Sequence, residues 1–184
     1  MPLSSKHFVF ETERLRCRRW IAGDLAALLV VYGDADAMQW VGDGQPLNEA
    51  DARRWLKVTE DNYDRRGYGM FALEQRRHDG DDDVVGFCGL VHPGGQAEAE
   101  VKYALRRAHW GQGLATEAVR GLLAYGAARH GLKTVIATVA PDNLASLRVL
   151  TKAGLALAPM RTNDDGTQTQ VLVWHAAGPE RGLA

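Results

Sequence analysis

The sequence predicts a single α/β domain over residues 1–184, a mixed sheet with helices on both sides. Three observations carry that expectation. Strand-like and helix-like stretches follow one another in the order β-α-α-β-β-β-α-β-α-β-β. A central apolar run, EAEVKYAL at 98–105, passes through the glycine-bearing turn of WGQGLATEA at 110–118 straight into a helix-forming segment. The chain has 184 residues, 46% of them apolar, and a net charge near −1, which suits one domain large enough for a proper core.

Residues 8–20 alternate as a strand, with Leu15 and Cys17 on one face. Arg14, Arg16 and Arg18 lie on the other and read as a solvated face. Leu25, Leu28, Leu29 and Tyr32 recur at helical spacing and make a first amphipathic helix. Residues 38–46, with two glycines and a proline, form a loop. Asn48 caps a second helix whose Ala52, Trp55, Leu56, Thr59 and Tyr63 share a face.

Residues 69–74 and 84–91 are short apolar strands, joined over 76–83 by a hairpin turn containing Asp79-Gly80. Its acidic run, Asp81 to Asp83, lacks the spacing and closing glutamate of an EF-hand and reads as a solvated turn. Pro93-Gly94-Gly95 turns the chain into the central strand at 98–105. A helix over 112–130 and a buried strand over 134–139 follow. Asp142 or Asn143 then caps a helix with Leu144, Leu147, Leu150 and Ala153 inward, ended by Gly154. A hairpin around Asp164-Asp165-Gly166 leads into residues 171–174, and 178–184 read as a frayed tail.

The turn at 110–113 is the chemically informative stretch. A strand, two glycines and a helix start gather free backbone N–H groups at the positive end of a helix dipole, a seat for phosphate oxygens. The Walker pattern is absent, because no Gly-Lys-Ser/Thr run occurs. The dinucleotide fingerprint G-x-G-x-x-G fails at Thr116, and the strand after the helix ends in Ala140-Pro141 rather than in an acidic residue.

The third reading rests on four segments, taken in order. FETERLRCRRW at 10–20, EVKYAL at 100–105, HWGQGLATEA at 109–118 and DNLASLRVLTKAGL at 142–155 resemble the GNAT superfamily of N-acetyltransferases. Within it they resemble the branch of the bacterial ribosomal-protein N-terminal acetyltransferases, over a recognisable core of about 8–176.

The resemblance implies the GNAT acyl-CoA N-acyltransferase fold: a central, mostly antiparallel sheet splayed between its fourth and fifth strands, here 98–105 and 134–139. It implies an acetyl-CoA-dependent enzyme, a direct ternary-complex transfer and an amine acceptor, either a protein N-terminus or a small molecule. Cofactor contacts would come from Tyr103, Ala104 and Leu105 to the pantetheine arm, and from Trp110, Gly111, Gln112, Gly113, Leu114, Ala115 and Thr116 to the pyrophosphate. Asn143 and Ser146 of the N-x-x-S helix would complete the set.

The tyrosine that many family members use to protonate the leaving thiolate corresponds to Leu150, which cannot donate; in the branch it resembles, the serine of N-x-x-S is the proposed donor, and that corresponds to Ser146. Glu100 has two readings, a base acting through water or the partner of Lys102 in a salt bridge. Lys102 replaces a usual glycine, Ala158 a usual glutamate, and His109 a usual Gln or Arg. The departures at Leu150, Lys102 and Ala158 support the alternative of a noncatalytic acyl-CoA-binding or sensing module. In the family the first helices wall the acceptor pocket, making Trp40, Trp55 and Tyr68 candidate contacts, although core packing is the preferred role of each.

Near-neutral charge argues against a nucleic-acid partner. Cys17 and Cys88 form no C-x-x-C pair and read as reduced core thiols of a cytoplasmic protein. No apolar run reaches membrane-spanning length, and no histidine set suggests a metal. A monomer or a homodimer is expected.

Overall fold

The computed structural model describes residues 7–41, 44–76 and 83–177. The hairpin turn expected at 76–83 and the tail expected at 178–184 therefore lie largely or wholly outside the described residues. Among those described, the chain runs β1 (Phe8–Glu11), β2 (Leu15–Arg19), α1 (Leu25–Tyr32), α2 (Ala35–Met38), α3 (Glu49–Arg66), β3 (Met70–Gln75), β4 (Val84–Val91) and β5 (Ala99–Leu105). It continues through α4 (Leu114–His130), β6 (Thr134–Val139), α5 (Leu144–Ala153), β7 (Ala156–Leu157), β8 (Arg161–Thr162) and β9 (Gln168–His175).

The strands form one sheet in the order β1-β2-β3-β4-β5-β6-β9-β7, with β8 also paired to β9. All neighbours are antiparallel except β5 and β6. That parallel pair is joined only at Ala99–Val135 and Glu100–Ile136, after which the two strands part. The sheet is thus mostly antiparallel and splayed where the resemblance implied.

Strand alternation sorts the core into two layers. Leu73, Phe71, Cys88 and Leu90 pack against Leu114, Ala118, Val119 and Leu122 of α4. Ala72 and Phe87 point the other way, onto Leu28, Val31, Tyr32 and Met38 of α1 and α2. Cys17 and Cys88 are free and buried, and burial, with help from Cys88, pushes the Cys17 thiol well up.

Five expectations need correction. Residues 8–20 are a hairpin and not one strand. The Thr12 N–H donates to the Leu15 carbonyl at 2.9 Å, and the Leu15 N–H donates to the Thr12 hydroxyl at 3.1 Å. A threonine makes this turn without glycine or proline to signal it. Arg18 is not on a solvated face: it is 2% exposed, donating to Glu74 at 2.6 Å and to both oxygens of Asp24 at 2.8 Å.

The loop at 38–46 is preceded by the short helix α2, capped by Asp34, whose carboxylate accepts from Asp36 and Ala37; this buries Met38. Leu144 does not face the core. It is 58% exposed, at the first position of α5. The chain also ends in three strands where two were expected.

Asn48 caps α3 by accepting from the Asp51 N–H. Gly67 and Gly154 close α3 and α5 in the left-handed conformation, with φ of 79° and 104°.

Candidate active site

The parting of β5 from β6 opens a cleft of about 870 Å³ through the middle of the molecule. Tyr103, Ala104 and Leu105 line it from β5, and Thr138 and Val139 from β6. Beyond Glu100 the β6-facing edge of β5 has no strand partner, which leaves main-chain polar groups available to an extended ligand.

At one end sits the start of α4. Gly111 and Gly113 adopt φ of 73° and 78°, a conformation costly for residues with a Cβ. Trp110, Gly111, Gly113, Leu114, Ala115 and Thr116 line the cleft here. The Glu117 N–H is the first to close onto the helix, reaching the Gly113 carbonyl, so the N–H groups just before it have no partner within the helix. Gln112 turns back: its amide donates to the Ala108 carbonyl at 2.9 Å.

The turn is anchored from outside. Glu117 accepts from the Thr12 hydroxyl at 2.6 Å, from the Arg14 N–H at 2.8 Å and from Arg14 Nε at 2.7 Å. Arg14 Nη1 donates to the Gln112 carbonyl at 2.9 Å. Burial raises the Glu117 carboxyl, but the hydrogen bonds from Thr12 and Arg14 outweigh it and hold the group below its ordinary value. His109, also lining the cleft, is lowered by burial and by neighbouring Arg106, which favours neutral imidazole.

Across the cleft, Asn143 caps α5 by accepting the Ser146 N–H at 3.1 Å. That fixes Ser146 so that its hydroxyl meets the phenol of Tyr103 at 2.8 Å. Burial pushes the Tyr103 phenol up to about 12, with Ser146 opposing the rise. Leu150 is buried in the core.

Glu100 is 2% exposed and accepts from Lys102, from the Thr138 hydroxyl and, at 3.2 Å, from Gln96. The salt-bridge geometry is therefore present. Lys102 and Thr138 both line the cleft, and Thr138 links the buried carboxylate to it.

The hydroxyl of Tyr103 and that of Thr138 are features of the cleft that the sequence motifs do not single out. The alternation of E-x-K-Y places Tyr103 on the face opposite Glu100, a signal that was there to use. Trp55 packs edge-on to Tyr32 with ring centres 5.1 Å apart, and Tyr68 is buried and bonded to His92 at 2.9 Å. Trp40, by contrast, is 44% exposed on the cleft wall and is no core residue.

Among the described residues no group of three or more His, Cys, Asp or Glu side chains gathers to hold a metal. No helix there is long and apolar enough to cross a membrane.

A splayed parallel strand pair, with a helix start and a hydroxyl pair along it, shapes this cleft. A profile of the acetyltransferase (GNAT) domain matches residues 14–156. The chain is 30% identical to YkkB of Bacillus subtilis strain 168, over 78% of this chain and 83% of that protein. It is 29% identical to the N-acetyltransferase p20 of Bacillus licheniformis, over 76% and 77%. Among solved structures, a GNAT-family acetyltransferase from Bacillus anthracis superposes with a TM-score of 0.76 at 22% identity, covering 91% of this chain and 98% of that one. The chain belongs to the GNAT acetyltransferase family.

Two other solved structures share its fold. RimL, a ribosomal L7/L12 α-N-protein acetyltransferase solved with coenzyme A, gives a TM-score of 0.76 at 18% identity, covering 92% and 98% of the two chains. AAC(6')-Ib, solved with ribostamycin and coenzyme A, gives 0.72 at 16%, covering 89% and 94%.

Proposed function

We propose that this protein transfers the acetyl group of acetyl-CoA to a primary amine, a protein N-terminus or a small molecule, by direct attack in a ternary complex. The observation that carries the reading is the continuity of one cleft from the α4 start, along the unpaired edge of β5, to the Ser146–Tyr103 pair. Acetyl-CoA supplies an activated thioester whose carbonyl carbon accepts the amine.

The residues take these roles. The N–H groups of Gly111 to Ala115 hold the pyrophosphate; that of Trp110, expected among them, is already given to the Arg107 carbonyl at 3.0 Å. Arg148 and Lys152, which line the same cleft, add positive charge at the phosphates. Main-chain groups of Tyr103 to Leu105 hold the pantetheine amides, and an N–H there stabilises the oxyanion. Ser146 gives a proton to the departing thiolate sulfur, drawing on Tyr103 behind it. The proton shed by the attacking amine passes through water and the Thr138 hydroxyl toward Glu100. No covalent acyl-enzyme is needed, and the buried Cys17 thiol, pushed up by burial, is a poor nucleophile.

A second reading, a noncatalytic acyl-CoA-binding module, is favoured by one observation: Lys102 already occupies the Glu100 carboxylate. Release of free thiol from acetyl-CoA across a panel of amines separates the two. Turnover supports the transferase, and tight acetyl-CoA binding with no turnover of any amine supports the module.

A further inference from the structure

Resting on the acetyl-transfer reading, we propose that the acceptor half of the cleft takes the weakly basic α-amine of a bulky apolar residue, not a polycation. Beyond Ser146 the cleft passes beneath α1 and α3, where Tyr32, Trp40, Trp55, Val58 and Met70 line it. Trp55, Val58, Thr59 and Asn62 fall on one stripe of α3, running about 10 Å along the helix. Val58 is 53% exposed on that stripe. Apolar surface left open along a cleft wall marks a place where an apolar body binds.

The charges of the wall point the same way. Among the described lining residues the single carboxylate is Asp36, and Arg107 already holds it together with Asp34. Of the cations facing the cleft, Arg148 and Lys152 serve the phosphates and Lys102 is paired with Glu100. A polyamine or an aminoglycoside brings several ammonium groups, and such a wall offers them no paired counter-charge. The amine must also lose its proton before it attacks. With no open carboxylate on the wall, and Glu100 buried against Lys102, the site favours an amine that is already neutral. Near neutral pH an α-amine, with a pKa of about 7.7–8.0, is neutral roughly two orders of magnitude more often than an alkylamine near 10.4. The bulky aromatic wall then selects the side chain carried beside it.

The test uses the full chain. Acetyl-CoA binding is first measured by calorimetry; then thiol release and product mass are followed with phenylalaninamide, alaninamide, phenethylamine, spermidine and ribostamycin. The expected result is a kcat/KM for phenylalaninamide at least about 10-fold above alaninamide and phenethylamine, with spermidine and ribostamycin unused. Phenylalaninamide should also quench tryptophan fluorescence in the CoA-loaded protein, through Trp40 and Trp55.

A tetrapeptide beginning with Phe distinguishes the sources. Use as good as the amide's assigns a polypeptide N-terminus, and poorer use assigns a free small amine. Val58→Glu, on an exposed helix surface, should lower use of phenylalaninamide several-fold and admit spermidine. Preference for spermidine or ribostamycin, equal use of alaninamide, or no change in Val58→Glu overturns the acceptor assignment. So does acetyl-CoA binding with no turnover of phenylalaninamide. No acetyl-CoA binding at all removes the acetyl-transfer reading itself.

Discussion

The phenol of Tyr103, on β5, and the hydroxyl of Ser146, on α5, meet at 2.8 Å across the cleft between the parted strands. Tyr103 is half-buried, and burial pushes its phenol up to about 12, so it stays protonated and able to donate. Ser146, held by the Asn143 cap, is the proposed donor to the leaving sulfur. An alcohol is a weak acid on its own, but one that receives a hydrogen bond from a phenol donates more strongly.

Ser146→Ala should lower kcat by about 10–10³-fold and leave acetyl-CoA affinity near wild type. Tyr103→Phe should lower kcat by about 3–10-fold. The double variant should fall short of the product of the two losses, because both act in one chain of hydrogen bonds. Steady-state kinetics at saturating amine checks this, and an unchanged kcat in Ser146→Ala would end the proton-donor role.

At the other end of the cleft, Gly113 has φ of 78°, and a Cβ built there comes no closer than 3.5 Å, to Arg14 Nη2. Space within the protein is therefore available, and the demand for glycine comes from backbone conformation and from the approaching ligand. Asparagine tolerates this conformation, whereas valine pays roughly 1–2 kcal/mol for it. Gly113→Val should lose both stability and acetyl-CoA affinity. Gly113→Asn should keep most of the stability and still weaken binding, as its side chain enters the phosphate approach. Calorimetry with melting curves checks both, and full affinity in folded Gly113→Asn would argue against a phosphate seat there.

Much of the fold was legible because its signals are local. Gly67 and Gly154 end helices, Asn48 and Asn143 start them, and alternation in β3 to β5 sorts the two core layers. What escaped depends on partners far away in the chain. Arg18 sits in an alternating arginine run that looks solvated until Glu74, 56 residues on, is paired beside it. The side-chain role of Tyr103 needs Ser146, 43 residues on. The turn at Thr12 is stabilised by Glu117, from a helix more than a hundred residues away. The positions expected to bind the cofactor were legible as a motif, since glycine spacing and a helix start are local, whereas the proposed acceptor wall draws on α1, Trp40, α3 and β3.

Arg18 also yields a stability prediction. Its guanidinium holds two carboxylates away from water, Asp24 at 4% and Glu74 at 1% side-chain exposure. Asp24 in turn accepts the Ile21 N–H at 2.9 Å, ordering the entry to α1. Removing the cation strands buried negative charge, which costs about 3–5 kcal/mol. Arg18→Ala should therefore unfold at much lower urea. Restoring apolar character at all three positions, as Arg18→Met with Asp24→Leu and Glu74→Leu, should recover part of the loss. A loss under 1 kcal/mol in Arg18→Ala would mean that the carboxylates find other compensation.

The last prediction concerns Glu117, which ties the cofactor turn to the first hairpin through Thr12 and Arg14. Burial alone would raise its carboxyl, but these three hydrogen bonds prefer the ionised form and set it below the ordinary value. The unfolded chain then binds this proton more readily than the folded one. The carboxylate's contribution to stability is thus present above the unfolded glutamate value of about 4.3 and is lost as pH falls through the lower folded value. Glu117→Gln keeps the shape and removes the charge. Wild type should be the more stable above about pH 5, and the gap should close as the pH is lowered toward 3. The variant should also bind acetyl-CoA more weakly at neutral pH, because the Arg14 contact to the Gln112 carbonyl loses its anchor. Melting curves at a series of pH values, paired with calorimetry, test both. A stability gap that stays constant from pH 6 to pH 3 would show that the carboxylate's charge does not anchor the turn.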